Sequence, residues 1–147
     1  ALKDLNINYL TVHISSGLEA LKQVKKVSGK TKIVGVTTLT SLDNQDLKSI
    51  GHKRPLKEIV MIQAKLASKA KLDAIVCSPL EVKFVRKFFK KEIITPGIRI
   101  SSKFNDQKRV MSPKSAFKQG SDWLVMGRDL TNGNIKSNFK KLSDHLS

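Results

Sequence analysis

The feature that most constrains this chain is a regular alternation of short apolar runs with longer amphipathic ones. Tyr9–Ile14 (YLTVHI) is β-branched and aromatic, the composition of a buried strand. Ser16 and Gly17 open a helix over Leu18–Val27 that stops at Gly29. Lys32–Leu39 (KIVGVTTL) reads as a second strand, followed by a short helix over Asp43–Ile50 ended by Gly51. Pro55 begins the longest helix, to Lys71, at a position where its missing N–H is not needed. Leu56, Ile59, Ile62, Leu66 and Ala70 recur every three or four residues and mark its expected buried face. Ala74–Ser78 (AIVCS) is a third strand, and the helix over Leu80–Phe89 turns Val82, Val85 and Phe88 inward. Glu92–Thr95 (EIIT), the fourth strand, runs into Pro96-Gly97-Ile98-Arg99. After a polar stretch, Ile100–Arg109, Ser112-Pro113 starts a helix closed by Gly120. Trp123–Met126 (WLVM) is a fifth strand ending in Gly127-Arg128, and a last helix from near Ile135 carries Ile135, Phe139, Leu142 and Leu146 on one stripe.

Five strands, each followed by a helix at short spacing, predict a parallel α/β architecture. Their near-continuous apolar character predicts burial on both faces. Two arrangements satisfy this pattern: an open doubly wound sheet, or part of a (β/α)8 TIM barrel. A complete barrel takes eight such units and about 250 residues; the 147 residues here supply five. No linker, low-complexity tract or repeat beyond the βα unit divides the chain, so residues 1–147 read as a single domain. Residues 1–5 read as the end of a helix feeding the first strand, so the chain is expected to begin in mid-fold.

The formal charge of +16 suits anionic partners: nucleic acid, an acidic membrane or phosphorylated metabolites. Lysines, spread over every predicted helix, make up most of the 28 basic residues, which points to a solvated surface rather than a nucleic-acid stripe. One Trp and one Tyr are too few for a base-stacking platform. Arginine, whose planar fork suits phosphate, is rarer, and Arg99, Arg109 and Arg128 all fall at strand ends or loops late in the chain. No apolar run is long enough to cross a membrane and no secretory leader opens the chain, so no membrane partner is expected. The single cysteine, Cys77, forms no internal disulfide, in keeping with a cytoplasmic setting. His13, His52 and His145 lack ligand spacing, so neither zinc nor another metal is expected. His13 reads as structural, and Cys77 as a small apolar group at a strand end.

In barrels, functional groups gather where strands end, and phosphate is often held by the last two such loops. The last two strands end in PGIR and GR. Glycine allows close backbone approach to a phosphate and arginine supplies donors. The ordinary alternative for Arg99 and Arg128 is an ion pair or a solvated turn.

Six segments, in order, carry a family resemblance. Val12-His13 with Ser15 and Gly17 resembles V-H-A-S-G-G, and Val36-Thr37-Thr38-Leu39-Thr40-Ser41 resembles V-T-x-L-T-S. Val76-Cys77-Ser78 with Glu81 resembles V-C-S-x-x-E, and residues 95–99 match T-P-G-I-R. Asp106-Gln107-Lys108-Arg109 with Ser112-Pro113 resembles D-Q-x-R-x-x-[TS]-P, and residues 120–128 resemble G-x-D-Y-x-V-x-G-R. These are motifs of the orotidine 5′-phosphate decarboxylases, and the resemblance places Tyr9–Ile14 as the fourth of eight barrel strands. It implies loss of CO2 from orotidine 5′-phosphate to give uridine 5′-phosphate, the last step of pyrimidine synthesis, with no cofactor. It further implies that Arg99, Gly127 and Arg128 hold the phosphate, that Gln107 sits on a mobile loop closing over phosphate and base, and that Thr40 lines the nucleotide site. Family members are homodimers, so a homo-oligomer, or pairing with a missing N-terminal piece, is expected.

The family's chemistry comes from D-x-K-x-x-D after the third barrel strand, with a lysine and an aspartate from the first two. No such motif occurs here. Asp46-Leu47-Lys48 has Gly51 where the last Asp belongs, and Asp106-Gln107-Lys108 is followed by Met111; both read as chance matches. The chain alone is therefore expected to be inactive, or a phosphate-binding remnant. Two departures are smaller. Asp129 replaces the usual proline after Gly-Arg, which would either weaken dianion binding or cap the following turn, and Ser15-Ser16-Gly17 has lost one family glycine. Five strands cannot close a barrel, so unpaired edges at Tyr9–Ile14 and Trp123–Met126, with self-association, are expected.

Overall fold

The computed structural model describes residues 5–100 and 109–147. Five strands, β1 (Tyr9–His13), β2 (Lys32–Val36), β3 (Ala74–Val76), β4 (Glu92–Thr95) and β5 (Trp123–Leu124), form one sheet. Among the described residues, seven α-helices connect and follow them: α1 (Leu18–Val27), α2 (Asn44–Ser49), α3 (Leu56–Lys69), α4 (Val82–Phe88), α5 (Pro113–Gln119), α6 (Arg128–Thr131) and α7 (Ile135–Leu146). Every strand pairs in parallel with the next in sequence, giving the order β1-β2-β3-β4-β5. A doubly wound sheet reverses its strand order at a switch point; this sheet has no reversal and is the arc of a barrel.

Side chains across the sheet show the curl. The Tyr9 hydroxyl donates to Glu92 Oε2 (3.2 Å), Lys32 Nζ donates to Glu92 Oε1 (2.7 Å), and Trp123 Nε1–H donates to Glu92 Oε2 (3.1 Å). On a flat sheet, β1 and β4 would stand roughly 14 Å apart. One carboxylate reaching residues of β1, β2 and β5 requires a concave face. The Lys32 hydrogen bond, helped by Tyr9 and Trp123, outweighs burial and holds the Glu92 carboxyl below its ordinary value.

The opposite, convex face carries the core. Ile33, Ile75 and Ile93 meet Val60, Ala64, Ala67, Val82 and Val85 in one buried cluster. A Cβ on Gly35 would fall 2.7 Å from Leu72 and 2.9 Å from Ile14, so a side chain here would force those two core residues to shift. Two aspartates repeat one device. Asp73 donates its N–H to the Ile33 carbonyl (2.9 Å) and accepts the Ile33 N–H (2.8 Å) and Lys25 (2.5 Å). Asp122 does the same with Ile93 (3.0 and 2.7 Å) and Arg86 (2.6 Å). Each aspartate pins the start of one strand to its neighbour and to the preceding helix.

Several expectations needed correction. The buried face of α3 is Val60, Gln63, Ala64 and Ala67; of the expected face Ala70, just past the helix, is buried, Ile59 is half-buried, Ile62 is exposed, and Leu56 and Leu66 pack at the margin. Small residues let α3 approach the sheet closely, and that contact selects a face that hydrophobicity alone misplaced. Strand β1 alternates between exposed and half-buried residues instead of being buried on both faces. Among the described residues it pairs only with β2, as β5 pairs only with β4. Strands β2, β3 and β5 are shorter than expected: after Thr37, the Thr38 N–H turns to Gln63 Oε1 (2.9 Å). The α7 stripe forms, but Ile135 and Phe139 remain exposed. Helix α6 was not anticipated. Among the described residues no helix is long and apolar enough to cross a membrane.

Candidate functional site

Because all strands are parallel, the residues that follow them gather on one rim. Thr40 follows β2, Ser78 and Glu81 follow β3, Arg99 follows β4, and Gly127-Arg128 follow β5. Local chemistry shapes each turn. Asp43 caps α2 through the Gln45 and Asp46 N–H groups, while Asp46 accepts the Asp43 N–H. In this reciprocal cap Asp46 lies in the first turn of α2. Gly97 has φ 79°, a left-handed conformation suited to glycine. Ser112 caps α5, and Gly120 ends it in left-handed conformation.

The turns after β4 and β5 are joined directly. The Val125 N–H donates to the Thr95 carbonyl (2.9 Å). The Ile100 N–H donates to Asp129 Oδ2 (2.6 Å), linking the residue after Arg99 to the residue after Arg128. Asp129 therefore bridges two turns. The Gly97–Arg99 stretch is further held by Met111, whose N–H donates to the Gly97 carbonyl (3.2 Å) and whose carbonyl accepts the Arg99 N–H (3.0 Å). Arg99 is half-buried and Arg128 exposed at the first position of α6. Gly127 precedes it with φ −103°, and among the described residues nothing lies within 4 Å of where its Cβ would be. Gln107 lies outside the described residues.

Thr40 is half-buried, and its neighbourhood is organised by Arg109. Arg109 Nε–H donates to the Thr40 carbonyl (3.1 Å) and Nη2–H to the Leu39 carbonyl (2.9 Å), while Nη1 pairs with the Glu81 carboxylate. Both partners are buried, Arg109 at 8% and Glu81 at 3% exposure. The other Glu81 oxygen accepts the Ser78 N–H (3.1 Å). Burial pushes the Glu81 carboxyl above its ordinary range, against the opposing pull of Arg109 and the Ser78 N–H. Both residues stood inside motif matches, but nothing in their spacing marked them as a pair.

Cys77 is fully buried, and burial, reinforced by the Glu81 charge, pushes its thiol pKa up. It behaves as a small core group, as expected. His13 is exposed at the end of β1, and its carbonyl accepts the Ser16 hydroxyl (2.8 Å). No group of three or more His, Cys, Asp or Glu side chains among the described residues is placed to hold a metal. A pocket of about 540 Å³ lies at the other rim, where β1 and β2 begin, lined by Ile7, Leu10, Val24, Val27 and Ile33. Asn6, Ser28, Lys30 and Thr31 also line it, and it lies at the rim opposite the arginine-bearing turns.

A family model described as "Orotidine 5'-phosphate decarboxylase / HUMPS family" matches residues 1–138. An orotidine 5′-phosphate decarboxylase of Wolbachia sp. subsp. Brugia malayi is 44% identical over 146 residues, covering 97% of this chain and 65% of its own length. That of Ehrlichia chaffeensis is 45% identical over 135 residues, covering 88% of this chain and 58% of its own. The crystal structure of the Lactobacillus acidophilus orotidine 5′-phosphate decarboxylase superposes with a TM-score of 0.80 at 29% identity, covering 99% of this chain and 66% of that one. A Methanocaldococcus jannaschii orotidine 5′-monophosphate decarboxylase, solved with the inhibitor BMP, shares the fold at a TM-score of 0.69 and 22% identity. The chain thus spans less than two thirds of the length of these curated relatives.

Proposed function

Because the chain belongs to the orotidine 5′-phosphate decarboxylase / HUMPS family, we propose that it is the phosphate- and nucleotide-holding portion of an orotidine 5′-phosphate decarboxylase. In this reading Arg99 and Arg128 grip the phosphate dianion and Gly127 leaves room for it. Thr40 lines the nucleotide site, and Gln107 donates and accepts hydrogen bonds toward phosphate and base. The reaction breaks the bond between the pyrimidine ring and its carboxylate. CO2 leaves, the electron pair stays on the ring carbon, and a lysine returns a proton to it. The D-x-K-x-x-D carboxylates and lysine that serve this step are absent from the sequence, so the chain alone binds without turnover. Remote phosphate binding would then organise a site completed by other βα units. Cytoplasmic pyrimidine synthesis, without a cofactor, is the setting this implies.

The observation that carries the reading is the bond between Ile100 and Asp129, which sets the two arginine-bearing turns side by side on one rim. The room beside Gly127 among the described residues supports it. The partner that completes the site is a segment of about three βα units, on the same polypeptide or another. Support for it comes from the open sides of β1 and β5, the exposed α7 stripe, and the share of the relatives' length left uncovered. A homo-oligomer is the competing way to cover those surfaces. The test is CO2 release from carboxyl-labelled orotidine 5′-phosphate, by the chain alone and with the three-unit segment added. Turnover by the chain alone would overturn the division of labour. Calorimetry with uridine 5′-phosphate, comparing wild type with Arg128→Ala, tests the phosphate assignment; equal heats would remove Arg128 from the site.

A further inference from the structure

The pair formed by Arg109 and Glu81 has more bonds than an ion pair needs. Its members come from different stretches of chain, 28 residues apart, and the guanidinium also reaches carbonyls 69 and 70 residues away. One planar group therefore joins the turn after β2, the turn after β3 and the segment leading into α5. Nε and Nη2 point at two successive carbonyls, Thr40 and Leu39, and Nη1 at Glu81. Glu81 spends its second oxygen on the Ser78 N–H, which fixes the carboxylate against the end of β3. Burying a charge without partners is strongly unfavourable, so each ion requires the other in place. Among the described residues, the Leu39–Thr40 turn is also tied by the Leu42 N–H, which donates to the Leu39 carbonyl (3.1 Å), and by Gln63, which holds Thr38. Leu39 is exposed, and the turn contributes little to the core.

We propose that Arg109 and Glu81 are positioning residues: a buried clamp with no net charge that sets the Leu39–Thr40 turn so that Thr40 faces the nucleoside end of the ligand. This rests on the nucleotide-site reading of Thr40. Lysine cannot replace Arg109, because a single ammonium does not offer a planar fork to Glu81 and two carbonyls at once. The clamp acts on the nucleoside side, whereas Arg99 and Arg128 act on phosphate.

The test uses Arg109→Lys and the double variant Arg109→Met, Glu81→Leu. The double variant replaces the ions by apolar groups of similar volume, a change that buried pairs often tolerate. It removes the bonds to the carbonyls without leaving a lone buried charge, and circular dichroism with thermal unfolding checks that it folds. Two quantities are read: amide hydrogen exchange at Leu42 with its neighbours in the turn, and affinity for uridine 5′-phosphate beside that for inorganic phosphate. The expected result in both variants is faster exchange in the turn. Uridine 5′-phosphate affinity should also fall by at least about tenfold, equivalent to about 1.4 kcal/mol, with inorganic phosphate affinity unchanged. Wild-type exchange in the turn of a folded variant overturns the clamp. Equal weakening toward uridine 5′-phosphate and inorganic phosphate makes the pair merely structural and also overturns it. If the wild-type chain binds neither ligand, the reading of the site fails, and the exchange measurement alone decides whether the clamp holds the turn.

Discussion

The Asp129 carboxylate accepts the Ile100 N–H at 2.6 Å, across 29 residues of sequence. The residue after Gly127-Arg128 thus carries a cross-link between the loops of adjacent strands. Asp129→Ala removes the acceptor and leaves the Ile100 N–H, half-buried, without it. A hydrogen bond to a charged group contributes about 1.5–3 kcal/mol. Thermal unfolding should show Asp129→Ala destabilised toward that range, with Asp129→Asn, which keeps an acceptor, in between. An unchanged midpoint in Asp129→Ala would show that the bond contributes nothing.

Arg99 and Arg128 should act on phosphate and not on the nucleoside. Loss of a charge-assisted contact lowers affinity on the order of ten- to hundredfold. Calorimetry of Arg99→Ala should show such a loss for uridine 5′-phosphate and none for uridine. A matching loss for uridine would indicate a general disturbance of the rim.

Asp73 ties stability to pH. Burial pushes its carboxyl up, but the Lys25 hydrogen bond, the Ile33 N–H and the charges of Lys25 and Lys91 outweigh that and hold it below its ordinary value. An unfolded aspartate titrates near about 3.9. Its contribution is therefore complete above that pH and is lost as pH falls through the lower, folded-state value. Urea unfolding between pH 7 and pH 3 should show stability falling on the acid side. Asp73→Asn should start lower at pH 7 and fall less; parallel curves for the two proteins would rule out Asp73 as a contributor.

Cys77 should be inert in the folded chain. Its thiol is fully buried, and burial raises its pKa, so little nucleophilic thiolate forms at neutral pH. An aromatic disulfide reagent should label it only after denaturant is added. Rapid labelling of the native chain would mean that the β3 end opens readily.

The open sides of β1 and β5 should make the lone chain self-associate. Tyr9, Trp123 and Val125 are 44%, 57% and 53% exposed on or beside those strands. Sedimentation should show species growing with concentration, and Val125→Lys, which places a charge at the edge, should reduce them. A sharply monomeric wild type would contradict this.

What the sequence determined by itself was local. The bounds of α1 and β4, the Ser112 cap and the Gly120 stop were legible because each depends on residues within one or two turns of chain. The βα alternation and the six motifs named the barrel family for the same reason: they are patterns along the chain. Periodicity alone left a barrel arc and a doubly wound sheet open; the motif resemblance pointed to the arc, and the strand order agrees with it. The face of α3 was decided by which residues let helix and sheet approach, not by its most apolar positions. The contacts of Arg109 with Glu81, Asp129 with Ile100 and Tyr9 with Glu92 close over 28, 29 and 83 residues. No spacing rule spans such separations. Parallel strands in register bring those groups within reach, so the frame that gathers the strand-end turns is set by the sheet and not by any pattern along the chain.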